Sequence, residues 1–356
     1  RRERIELKSL PYAFMLAGGT GYVRIVRFAE TTAAELGRAL AALRLQGMKR
    51  LLLDLRDNGG GLLQQAVEVA DYFVDSGSLI VYTEGREFDS RHEYRARRPF
   101  WGEGEPLPLV VLIDHGSASA SEIVAGAVQD LDLGLVAGQT SFGKGLVQGQ
   151  FPLRSNGGLL LLTVARYYTP LGRLIQRPYT DDIQAYIQAG VDDVDPNSID
   201  SLRAGKEIFY TASSRAVYGG GGITPDVLLR VEEYSDFAID LFSSGAIADF
   251  SGVWVGGRGD WPQDFAEYRT GYEVPEEGFA AFAAFLRDEG WEVGAEDFSA
   301  HRDFLYRELK AGFARVLWGD EQYYRVRLDG DGEVEQSLGL FGEASALLAR
   351  RTGAGY

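Results

Sequence analysis

Lys144 is the only Lys or Arg between Arg98 and Arg154, and the whole chain holds five lysines. It lies in Thr140-Ser-Phe-Gly-Lys-Gly145, inside apolar and Gly-rich sequence. An amine in such surroundings is costly to keep charged, so its pKa is expected to fall. A neutral amine beside a hydroxyl can act as a general base. The candidate hydroxyl is Ser119, in the run Gly116-Ser-Ala-Ser-Ala-Ser-Glu122. Gln148 follows Lys144 by four residues, so on a strand it faces the same side and could hold the amine. The histidines are His92, His115 and His301. His115 reads as a strand-end residue, and a Ser-Lys pair needs no histidine.

The elements around these residues supply the rest of a hydrolytic site. Leu109–Asp114 reads as a buried strand, and a helix follows over Ser119–Leu131. A residue at that helix start lies among free amides and the positive end of the helix dipole, a setting that stabilises an oxyanion. Ser119-Ala-Ser-Glu122 also fits a capping box, which would make Ser119 a helix cap. A second turn, Arg56-Asp-Asn-Gly-Gly-Gly61, ends the apolar run Lys49–Leu55 and precedes a helix over Leu62–Val74. Its glycines could serve a turn with positive φ, or offer an amide that pairs with the Ala120 amide against a reacting carbonyl.

Further strands are expected at Gly21–Phe28, Leu79–Thr83, Leu135–Ala137, Val147–Leu153 and Leu159–Tyr168, the last two paired through Ser155-Asn-Gly-Gly158. Thr32-Ala-Ala-Glu35 reads as a capping box opening a helix to about Gly47. The polar stretch 84–106 and residues 171–217 read as excursions, with Gly219–Gly222 and Ile223–Val227 bringing the chain back. Strands alternating with helices over 1–170 predict α/β layering on a largely parallel sheet. From about 231 the texture changes to amphipathic helices such as Glu276–Glu289 and Ala300–Leu317.

Six ordered motifs carry a family resemblance: Gly21-Tyr-Val-Arg-Ile25, Asp54-Leu-Arg-Asp-Asn-Gly-Gly-Gly-Leu62, Ser117-Ala-Ser-Ala-Ser-Glu-Ile-Val-Ala-Gly126, Thr140-Ser-Phe-Gly-Lys-Gly-Leu-Val-Gln148, Tyr168-Thr-Pro-Leu-Gly-Arg173 and Gly222-Ile-Thr-Pro-Asp-Val227. Over about 20–230 the chain resembles the carboxyl-terminal processing peptidases, or tail-specific proteases. The resemblance implies Ser119 as nucleophile, Lys144 as general base and Gln148 as the residue orienting Lys144. It implies an oxyanion hole from the amides of Ala120 and one glycine of 59–61, with Gly60 the choice. It also implies a crotonase-like, Clp-protease-like α/β core, an extracytoplasmic location, and protein or peptide substrates with apolar C-terminal tails. The family often has Pro where this chain has Gly59, and usually carries a PDZ domain upstream. Residues 1–18 are accordingly expected to be a remnant of that upstream segment, 19–230 the peptidase core, and 231–356 an acidic, mainly helical domain.

Composition narrows the remaining readings. The net charge is −16; residues 231–356 hold 25 Asp/Glu against 11 Lys/Arg, while 1–230 hold 27 against 25. The acidity is a property of the C-terminal third, and nucleic acid, which needs a basic stripe, is not an expected partner. No apolar run of about 18 residues predicts a membrane span. Arg1-Arg-Glu-Arg-Ile-Glu6 precedes no apolar h-region, so it is not expected to be a signal peptide. With no cysteine, disulfides and thiolate metal sites are excluded, and neither metal nor cofactor is expected. Gly138-Gln-Thr-Ser-Phe-Gly-Lys-Gly145 approaches a Walker A loop. However, Gly145 stands where the Mg²⁺-binding hydroxyl belongs, and a strand rather than a helix is expected next. A non-enzymatic scaffold on the same fold and an acyl-CoA enzyme complete the rival readings. In the acidic region, Phe279, Phe282, Phe285, Phe304, Phe313 and Trp318 read as core, with a homodimer contact as the second use they could serve.

Overall fold

A computed structural model describes residues 7–86, 90–97, 106–153, 157–178, 203 and 205–353. The fold is mixed α/β with a mainly helical C-terminal region. Two compact units are present: Arg1–Arg230 together with Gln336–Tyr356, and Val231–Glu335.

The first unit is built on a six-stranded sheet. In spatial order its strands are β1 (Tyr12–Leu16), β2 (Thr20–Arg24), β3 (Arg50–Asp54), β6 (Leu109–Ile113), β7 (Leu135–Gly138) and β12 (Val227–Leu228). All adjacent pairs are parallel except β1 with β2. β3 and β6 read as continuous apolar runs because nearly all their side chains are fully buried, as a parallel sheet covered by helices requires. The helices of this unit include α1 (Thr32–Leu45), α2 (Leu63–Ala70) and α3 (Ala120–Asp130).

A second sheet in this unit is antiparallel throughout. Its strands, again in spatial order, are β5 (His92–Arg95), β4 (Leu79–Gly85), β9 (Leu159–Tyr168) and β8 (Leu146–Pro152). β8 is the end strand. On the β8–β9 hairpin, Phe151, Leu159, Leu160, Leu161, Leu162 and Val164 are exposed. A further hairpin pairs β10 (Ile208–Tyr210) with β11 (Ala216–Tyr218).

Two expectations need correction. Tyr12–Leu16, placed in an upstream remnant, is an edge strand of the main sheet, paired with β2 from Tyr12↔Arg24 to Leu16↔Thr20. The stretches read as excursions, 84–106 and 171–217, carry β5 and most of the β10–β11 hairpin. Thr31, not Thr32, is the N-cap residue of α1. Glu35 does not close a box with Thr32; it accepts the Thr31 hydroxyl at 2.6 Å and the Ser9 and Leu10 amides at 3.1 and 3.0 Å. The Ser155–Gly158 link falls partly outside the described residues.

In the second unit, Glu276–Asp288 and Arg302–Trp318 are helices. Phe279, Phe282, Phe304 and Phe313 are buried in one apolar cluster, and Phe285 and Trp318 pack against it. No helix among the described residues is long and apolar enough to cross a membrane.

Candidate active site

β6 delivers the chain into a tight turn, and Ser119 occupies the N-cap position of α3 with φ 56° and ψ −109°. An ordinary N-cap residue is in the β region. A non-glycine residue with this backbone is strained, and such strain concentrates at functional sites. The same geometry exposes a side chain at a sharp strand-to-helix turn, with the helix's first amides alongside. Ala120, the first residue of α3, is fully buried.

The 56–61 turn presses on Ser119 from the other side. Gly60 has φ +95°, and a Cβ there would lie 2.8 Å from Ser119 Cβ, 2.9 Å from Ala120 N and 2.7 Å from Ala118 O. Only glycine fits. The Gly60 amide, however, donates to Asn58 Oδ1 at 2.9 Å. Its contribution is therefore clearance beside Ser119, and the expectation that its own amide is an open oxyanion donor is not met. Asn58 ties the turn down further: its Nδ2 donates to Ile25 O, while its carbonyl accepts the Ser121 hydroxyl and the Ala118 amide.

The Thr140–Gly145 turn is held against the start of α3. Glu122 Oε2 accepts the amides of Ser119 at 2.7 Å and Lys144 at 2.9 Å. Its Oε1 accepts the Ser141 hydroxyl at 2.6 Å and the Gly143 amide at 2.7 Å. Burial pushes the Glu122 carboxyl above its usual range, while these four donors pull it back. Phe142 N donates to Ser117 O at 2.9 Å, joining the same two segments.

The Lys144 backbone is thus fixed, but its side chain is exposed. The expectation of a lysine enclosed by its apolar and glycine neighbours is not met: Lys144 is exposed, although Gly143 and Gly145 on either side of it are buried. Gln148 is also exposed, and no hydrogen bond joins it to Lys144 among the described residues. The four-residue spacing does not apply, because Lys144 precedes β8, which begins at Leu146. Beside Gln148 the register against β9 also shifts, with Val164 as the additional residue.

Tyr167 on β9 lies just outside the six sequence motifs, the nearest of which begins one residue later. It is almost fully buried, and its phenol donates to the Lys144 carbonyl. The Ser119 side chain lies beside the phenol. With its one proton committed to a carbonyl, the phenol has only lone pairs to offer Ser119. Burial, with the Glu122 charge adding to it, raises the Tyr167 pKa well above the ordinary phenol range. The signal that could have found it is strand pairing: β8 and β9 bring position 167 back to the lysine turn.

Charged residues shore up the turns. Asp54 is completely buried, yet the Arg56 and Arg24 guanidiniums overcome the burial and hold its carboxyl well below the usual range. Asp114 accepts the Asp57 amide at 2.9 and 3.0 Å and the Ser117 hydroxyl at 3.0 Å. Burial and the Asp57 charge push its carboxyl up to about 6. His115 has its pKa lowered by burial, and a backbone hydrogen bond with Thr140 opposes that shift. Behind α3, Arg173 of the Tyr168–Arg173 motif makes a buried ion pair with Asp130 at 2.5 Å.

Known proteins share this segment. The sequence profile of peptidase family S41 matches residues 19–185. The carboxy-terminal-processing protease of Bartonella bacilliformis is 42% identical over 179 residues, covering 49% of this chain and 40% of that protein. The chloroplastic C-terminal processing peptidase of Tetradesmus obliquus is 43% identical over 156 residues, 43% of this chain and 32% of that one. The chain therefore spans well under half the length of these relatives. Among solved structures, the photosystem II D1 C-terminal processing protease is 32% identical with a TM-score of 0.42, covering 54% of this chain and 55% of that one. Through residues 19–185, less than half of the chain, this protein is similar to peptidase family S41.

Proposed function

We propose that the chain is a serine endopeptidase that cleaves unfolded or C-terminally tagged proteins near their C-termini, with Ser119 as nucleophile and Lys144 as general base. One observation carries the reading: Ser119 is held in a strained conformation at a helix start, and the carboxylate that binds its amide also binds the Lys144 amide. Nucleophile and base thereby come from two turns fixed to one another. In the resting arrangement the Ser119 side chain lies beside Tyr167 and Lys144 is exposed. Turnover requires these two side chains to swing together.

Neutral Lys144 then takes the Ser119 proton as Oγ attacks the peptide carbonyl, and the resulting ammonium protonates the leaving amine. Water hydrolyses the acyl-enzyme with Lys144 again as base. The Ala120 amide, at the start of α3, is one proposed oxyanion donor, with the second from the 59–61 turn. Gln148 is proposed to hold the amine once Lys144 has turned inward. An extended substrate would add a strand to the free edge of β8, next to the exposed leucines of β9, which suits an apolar tail. The layering of two sheets and α1–α3 supports a crotonase-like, Clp-protease-like core. The division into a core ending near 230, with β1 included in it, and a C-terminal helical domain belongs to the same proposal, as does an extracytoplasmic location, testable by cell fractionation.

The test is incubation of the protein and Ser119→Ala with a permanently unfolded protein carrying an apolar C-terminus, products being mapped by mass spectrometry. Cleavage near the C-terminus by the unaltered protein alone is expected. Equal cleavage by both proteins, or by neither, would reject the assignment.

A further inference from the structure

Glu122 has no exposed surface, and its two oxygens serve both halves of the site. A capping-box glutamate needs one bond, to the N-cap amide, here Ser119 N at 2.7 Å. The other three reach 19, 21 and 22 residues along the chain, to Ser141, Gly143 and Lys144. Helix stability does not call for them. A buried carboxylate is costly unless its lone pairs are used, and four donors on two oxygens use them fully. The donors are divided so that Oε2 alone spans the amides of the two proposed reacting residues.

We propose that Glu122 is a positioning residue for peptide hydrolysis: its carboxylate fixes the spacing between the Ser119 and Lys144 backbones, so that Oγ and Nζ can meet through side-chain rotation alone. This rests on the reading of Ser119 and Lys144 as the reacting pair. Phe142, flanked by two of the braced residues, is tied to Ser117 by its amide, and Gly143 O accepts the Arg177 amide at 3.1 Å. Glu122 differs from these contacts in touching both reacting residues.

Glu122→Gln keeps the shape and one acceptor oxygen. Its amide nitrogen must face either the Ser119 and Lys144 amides or the Ser141 and Gly143 donors, so one pair loses its acceptor. On an unfolded protein substrate, kcat is expected to fall about 50-fold or more with KM within about twofold, as misplaced reacting groups produce. Amide hydrogen exchange in 140–145 should rise about tenfold in a variant with native circular dichroism. A glutamate that only capped α3 would lower the melting temperature and leave kcat of the folded variant intact. A kcat within about threefold of the unaltered protein, or unchanged exchange, overturns the proposal. If Glu122→Gln does not fold, Ser141→Ala, which removes one of the four donors, takes its place. A loss of about fivefold in kcat with faster exchange supports the brace, and unaltered values refute it. The exchange arm reads the brace without turnover. A protected turn in a protein lacking Ser119-dependent cleavage would therefore count against the peptidase reading and not against the contact.

Discussion

Gly60→Ala should damage both stability and activity, while Gly59→Ala, one residue away, should do neither. At position 60 the backbone has φ +95°, where an alanine is strained by about 1–2 kcal/mol. The new Cβ would meet Ala118 O at 2.7 Å, Ser119 Cβ at 2.8 Å and Ala120 N at 2.9 Å. Two of these are backbone atoms, so they cannot rotate away, and overpacking of this kind costs about 1–3 kcal/mol. The total is about 2–5 kcal/mol, or about 4–20 °C in melting temperature for a unit of this size. Relief by moving Ser119 would shift the nucleophile, and a displacement of about 1 Å can cost about 100-fold in rate. At Gly59 a Cβ meets nothing within 4 Å. Reduced chain entropy in the unfolded state would make Gly59→Ala neutral or stabilising by about 0.5 kcal/mol. Thermal melts with kcat measured below both transitions would read the pair of variants. A Gly60→Ala protein as stable and active as the unaltered one would refute the close approach of the two turns.

Asp114, with its carboxyl raised to about 6 in the fold, binds its proton more tightly folded than unfolded. Its contribution therefore makes the protein more stable as pH falls from about 6 toward 4, by about 2 kcal/mol. Asp54, held low by its two arginines, loses its own contribution only below that window. Melting curves between pH 4 and 7 should show the Asp114 slope, and Asp114→Asn should flatten it; an unchanged slope would be contrary. Asp130→Ala strands Arg173, which is 1% exposed, and should cost about 3–5 kcal/mol in denaturant unfolding. Phe282→Ala, in the aromatic cluster of the second unit, should cost about 3–5 kcal/mol in that unit's unfolding transition.

Much of the scaffold was legible because local pattern and tertiary burial agree. Leu109–Ile113 is apolar at every position and is buried at every position, so its strand and the small-residue turn after it could be read directly. The β9 range matched the expectation at both ends. β5 was hidden because His92–Arg95 has no buried side chain and lacks the apolar alternation that marks a strand. The lysine shows a different limit. Apolar neighbours in sequence say that a segment packs, but not which of its side chains turns outward. Glu122 was visible as half of a capping box, yet three of its four bonds run to residues that only the fold brings near. Tyr167 depends on strand pairing in the same way, and nothing local distinguishes it from Tyr168.

Activation of Ser119 by Lys144 can be read without a natural substrate, by a fluorophosphonate probe followed by peptide mapping. A single adduct on Ser119 is expected, formed in the unaltered protein and slowed by about 100-fold or more in Lys144→Ala with its fold intact. Labelling at another residue, or at the same rate without Lys144, would show that these two residues are not the reacting pair.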